Sequence, residues 1–73
     1  MTATLTFDMT EDQHVFDCVV HATKMHDVLL EMKEHLRSLE KYAPLTEEQD
    51  KVVNELREWF YNEINTAGLS HLL

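Results

Sequence analysis

Residues 15–39, VFDCVVHATKMHDVLLEMKEHLRSL, decide how this chain folds. Within them Val15, Cys18, Ala22, Met25, Leu29, Met32, Leu36 and Leu39 follow one another at alternating steps of three and four. A mean repeat of about 3.5 residues holds an apolar stripe on one face of an α-helix and calls for another helix to cover it. The pattern predicts an all-α protein that assembles through a coiled-coil-like seam. It predicts shape and assembly rather than chemistry.

Outward from the seam, helix punctuation sets the boundaries. Thr10-Glu11-Asp12-Gln13 reads as a capping box, in which the Thr10 hydroxyl accepts the Gln13 N–H and the Gln13 side chain returns to Thr10. No Gly or Pro follows until Pro44, so one long helix is expected over residues 10–43, about 45 Å long, with His21-Ala22-Thr23 its weakest point. Pro44 disfavours helical geometry at Ala43, and Lys41 suits the last turn. Thr46-Glu47-Glu48-Gln49 repeats the capping grammar and Gly68 supplies a left-handed stop, so a second helix is expected over residues 46–67. Its stripe is Val52, Val53, Leu56, Trp59, Phe60, Ile64 and Ala67. The short Pro44-Leu45 link then makes an antiparallel hairpin in a single domain. Before it, Ala3 to Phe7 alternate as a strand would, expected either to pair with the same strand of a second subunit or to run, within residues 1–9, as an extended arm whose Leu5 and Phe7 pack on the helices.

The helices differ in length. The second spans about 30 Å, leaving about 15 Å of the first without cover inside the chain. Phe16, Val19 and Val20 widen the apolar surface there, so Val15, Phe16, Cys18, Val19, Ala22, Met25 and Leu29 are the expected oligomer interface, with a dimer as the first expectation. Size agrees, since a chain of 73 residues buries a modest fraction of its surface alone.

Fourteen acids against 6 Lys and Arg give a formal net charge of -8. That balance argues against duplex DNA or RNA as a partner, because phosphate contacts need clustered basic groups. It allows an acidic mimic of nucleic acid or a binder of basic protein surfaces. The start has neither the basic residues nor the apolar run of a signal peptide, and the longest purely apolar stretches are Val28 to Leu30 and Trp59 to Tyr61. With the single thiol of Cys18, these features point to the cytoplasm and to no membrane partner.

Three clusters could carry chemistry. His14, Asp17, Cys18 and His21 share one side of a helix, and imidazole with thiolate suits zinc, but a tetrahedral site needs a further ligand from elsewhere. The simpler reading makes Cys18 a small core residue, and no metal or cofactor is expected. A Cys with a His on the same helix also lacks an oxyanion pocket, so no catalytic activity is expected. Lys33, Arg37 and Lys41 recur every four residues with Tyr42 beside them, a ridge suited to a phosphate or a carboxylate-bearing partner. The alternative is pairing with Glu34, Glu40 or acids of the second helix. Finally, Trp59, Phe60 and Tyr61 are consecutive and cannot all face one core. Phe60 fits the Val53, Leu56, Ile64 face, leaving Trp59 or Tyr61 as a contact for a partner or a second subunit.

Leu5-Thr6-Phe7-Asp8, Glu11-Asp12-Gln13 with Phe16, Leu36-Arg37-Ser38 with Lys41-Tyr42, and a short last helix ending near Gly68-Leu69 resemble a group of small bacteriophage proteins of uncharacterised function. Thr10 stands where a Pro would follow the first strand. The group has no assigned catalytic or binding residues to carry over. The resemblance implies an accessory factor, in the host cytoplasm, that binds and modulates a host protein during infection. The alternatives are an oligomer that sequesters a small signalling nucleotide and a purely structural oligomerisation module.

Overall fold

Pro44 sets the architecture. Ala43 before it adopts φ -81° and ψ 137°, extended rather than helical geometry, and the chain reverses within a few residues. The computed structural model describes all 73 residues: α1 spans Gln13–Val20, α2 Ala22–Tyr42 and α3 Glu47–Thr66, with a short 3₁₀ turn at Ser70–Leu72 and no strand. The α2 and α3 helices form the antiparallel hairpin. No helix is long and apolar enough to cross a membrane.

The second capping box forms as the sequence prescribes. The Gln49 N–H donates to the Thr46 hydroxyl at 3.2 Å, and the Thr46 N–H donates to the Gln49 side-chain oxygen at 3.1 Å. Glu47, Glu48 and Asp50 occupy the first turn, where the helix dipole favours negative charge. At the other end Gly68 takes φ 73°, a conformation that costs a residue with a Cβ. The Gly68 N–H donates to the Asn65 carbonyl and the Leu69 N–H to the Ile64 carbonyl, both at 3.0 Å. This paired closure of the last turn is the Schellman arrangement.

The first capping box does not form. The Thr10 hydroxyl and N–H instead donate to the Asp8 carboxylate at 2.7 and 3.0 Å, and the Asp8 N–H donates to Asp12 at 3.1 Å. Asp8 outcompetes Gln13 because a carboxylate two residues away accepts from Thr10 without ordering a long side chain. The hydroxyl, and then the N–H, of Thr10 hold the Asp8 carboxyl below its ordinary pKa. The first helix therefore begins at Gln13 rather than Thr10.

Nor is it one helix. His21, with φ -100° and ψ 7°, interrupts the path between α1 and α2. Val19 and Val20 have low helix propensity, and the Asp17 carbonyl, which still accepts the His21 N–H at 3.2 Å, is also met by the His21 ring nitrogen Nδ1 at 2.7 Å.

Within the single chain Ala3 to Phe7 forms no strand, as no second strand lies beside it to take its backbone hydrogen bonds. Phe7 anchors the arm by packing edge-on against Phe16, with ring centroids 5.5 Å apart, whereas Leu5 remains exposed.

Val53, Phe60 and Ile64 are the buried residues, all on α3. On α2 the half-buried residues are His26, Leu29, Leu30, Lys33, Leu36, Leu39 and Glu40. The covered side of α2 is thus rotated away from the expected seam: Leu29, Leu36 and Leu39 are partly covered, but Met25 and Met32 are exposed. The rotation follows from the stripe's width, since α3 lies against the flank that includes Lys33 and Glu40.

Candidate functional site

Both helices of the hairpin are apolar over more than the surface they share. On α3, Val53, Arg57, Phe60 and Ile64 follow helical spacing and turn toward α2, while Val52, Leu56 and Trp59 lie on the adjoining flank. On α2, Met25, Val28 and Met32 occupy the matching flank. All six are exposed, Trp59 at 61%. Asp27 and Glu34 lie on the far side of α2 by helical spacing.

The two flanks meet in one groove. Met32, His35 and Leu36 of α2 line it with Leu56, Trp59 and Phe60 of α3, enclosing about 200 Å³. A second hollow, lined by Leu39, Leu45, Val52 and Val53 with Glu48 and Gln49, lies beside the hairpin turn. Another apolar hollow, of about 300 Å³, is lined by Ala22, Met25, Leu29, Leu69, Leu72 and Leu73. Apolar surface therefore extends along much of the hairpin, open at Met32, Leu56 and Trp59 and walled at the Met25 end by residues 69–73.

The residues 69–73 fold back on α2. His26 Nε2 lies 2.7 Å from the Leu72 carbonyl oxygen and its Nδ1 3.3 Å from the Asp27 carboxylate. The Leu72 carbonyl, followed by Asp27, raises the His26 pKa above its ordinary value. Lys33 donates to the Leu73 carbonyl, and the Ser70 hydroxyl to the Asn65 side chain.

Lys33 is thereby drawn into the fold, while Arg37, Lys41 and Tyr42 are exposed, Tyr42 at 81%. Glu40 is engaged by Arg57, whose Nη1 lies 2.5 Å from its carboxylate. Arg57 also stands 5.3 Å from the Tyr61 ring centroid, and Tyr61 packs edge-on to Phe60 with centroids 6.0 Å apart. Tyr61 is half-buried in this cluster, so Trp59 and Tyr42 are the more exposed of the aromatic candidates.

Around α1, His14 Nε2 and Cys18 Sγ are 3.8 Å apart, but His21 faces the Asp17 carbonyl. No three His, Cys, Asp or Glu side chains converge there or elsewhere in a metal-ligand arrangement. Of the residues expected to form an interface, Val15, Val19, Ala22 and Met25 are exposed, while Phe16, Cys18 and Leu29 are half-buried.

Sequence reasoning did not single out Met32, Val52 and Leu56 as a shared surface. Helical spacing carries part of the signal, because Val52 and Leu56 sit on the Trp59 edge of the α3 stripe. Which edge α3 leaves open is a tertiary matter. Comparison of the chain with known protein families, with curated proteins and with solved structures finds no match.

Proposed function

We propose that this is a non-enzymatic accessory protein that acts by stoichiometric association with other proteins, and that the α2–α3 apolar face is its docking surface. The observation that carries this reading is the groove lined by Met32, Leu36, Leu56 and Trp59, open to solvent on a hairpin whose other side is polar. A large amphipathic aromatic in the middle of an apolar patch, with polar groups at the rim, is the composition of a protein contact rather than of a small-molecule cleft. In the bacteriophage setting that the sequence resembles, the target is a host protein, and the chain modulates it by occupying its surface.

A photo-crosslinking amino acid in place of Leu56 tests the reading, with the same substitution at Glu34, on the far side of α2, as control. Adducts from host lysate, identified by mass spectrometry, should form at position 56 and be several-fold scarcer at 34. Equal yields at both positions, or none at 56, would remove the docking face.

A further inference from the structure

Resting on the reading of this face as a docking surface, we propose that until a target engages it the face is covered by a second copy of the chain, giving a dimer with four principal helices. The argument is one of area and closure. A folded monomer of 8.6 kDa exposes about 4,700 Å² by the scaling of globular proteins. This chain exposes 6342 Å². The surplus is roughly 1,600 Å², about twice what each partner loses in an interface of standard size, and the exposed arm of residues 1–6 shares it with the hairpin face. The Cα radius of gyration is 17.1 Å, against about 11 Å for a compact chain of this length. The principal extents of 52 × 29 × 19 Å describe a slab, with α2 and α3 side by side and no second layer over Met32 and Leu56.

Domains close by packing two layers of secondary structure around one core, and a second slab supplies the missing layer. A two-fold axis in the plane of the face would bring the patch of Met32, Leu56 and Trp59 onto the same patch of the partner, so one surface serves both subunits. The charge distribution permits it. Asp27 and Glu34, carboxylates of a chain with net charge -8, lie on the opposite side of α2 and would stay in water, while Glu48 and Glu63, on the α3 flank by helical spacing, would have to sit at the rim of the contact.

The test is sedimentation equilibrium across a concentration series, with the emission of Trp59, the only tryptophan, followed in parallel. A mass of two chains that dissociates on dilution, with emission shifting to longer wavelength as the indole enters water, is the expected result. Met32→Glu places a charge in the face at a position already exposed, so the hairpin should keep its helical circular dichroism. It should weaken dimerisation by about a hundredfold, the usual effect of burying an unpaired charge. Val28→Glu on the same flank provides a second disruption should Met32→Glu lose helicity. A wild-type monomer at every concentration overturns the dimer, as does a dimer unaffected by whichever of these variants stays helical. A monomer whose position-56 crosslinker captures a different protein overturns self-association while leaving the docking face in place, and a monomer with no position-56 adduct ends both.

Discussion

His26 Nε2 lies 2.7 Å from the Leu72 carbonyl oxygen, a hydrogen bond that joins two residues 46 positions apart and holds the end of the described chain against α2. Its other ring nitrogen meets Asp27, so the protonated ring can donate on both sides at once. This is why the folded pKa lies above the ordinary imidazole value of 6.5.

A group whose pKa rises on folding stabilises the fold fully below its unfolded pKa, and that contribution is lost as pH climbs through the folded value. The contact of residues 69–73 with α2 should therefore be tightest in mild acid and loosen as pH rises through the raised His26 pKa. An NMR titration of His26 should give a midpoint above 6.5, and protection of the Leu72 amide should fall over the same range. In His26→Gln that pH dependence should vanish. A His26 midpoint below the ordinary value would contradict the arrangement.

Thr10 and Thr46 head similar sequences but differ in what they cap. Thr46→Ala removes a formed capping box and should cost about 1 kcal/mol in urea unfolding. Thr10→Ala removes a bond to Asp8 on an exposed turn, and should cost less. It should also let the Asp8 pKa return toward its ordinary value, with the associated stability, present above that value, no longer lost as pH falls through the depressed one. Equal losses of stability from the two alanines would mean that α1 is capped as α3 is.

Phe60 is 5% exposed in a core of three buried residues. Phe60→Ala should cost about 3–5 kcal/mol, comparable to what a chain this small can hold in total, and should abolish cooperative unfolding. Ile64→Val should cost about 1 kcal/mol and leave the transition two-state. A cooperative Phe60→Ala transition close to wild type would place the stabilising contacts elsewhere.

Glu40 and Arg57 meet at 2.5 Å, but their side chains are 31% and 36% exposed. Water screens such a pair, so a double-mutant cycle with Glu40→Gln and Arg57→Met should return a coupling of about 0.5–1 kcal/mol that shrinks with added salt. Arg57 Nε is buried without a partner, and Arg57→Met relieves that cost along with losing the ion pair. The single Arg57→Met change should consequently destabilise less than the number of its contacts suggests. A salt-independent coupling of several kcal/mol would show the pair to be dehydrated.

What the sequence by itself determined is the set of features satisfied within a few residues: the Pro44 stop, the Thr46–Gln49 capping box and the Gly68 closure. Each depends on groups at most five positions apart, so the chain needs no tertiary partner to specify it. That Trp59 or Tyr61 must stand off the core face was legible because consecutive helical residues cannot share one side, but which of the two was left open. Where two local solutions competed, the reading failed, since Asp8 took Thr10 from Gln13, whereas the interruption of the long helix falls at His21, within the stretch that propensity marks as its weakest. Only the tertiary structure decided which part of the broad α2 stripe is covered. Docking of α3 against the Lys33 and Glu40 flank left Met25, Val28 and Met32 open beside Leu56 and Trp59. The stripe is wider than one helix can cover, and the relative rotation of two helices is set by contacts distant in sequence.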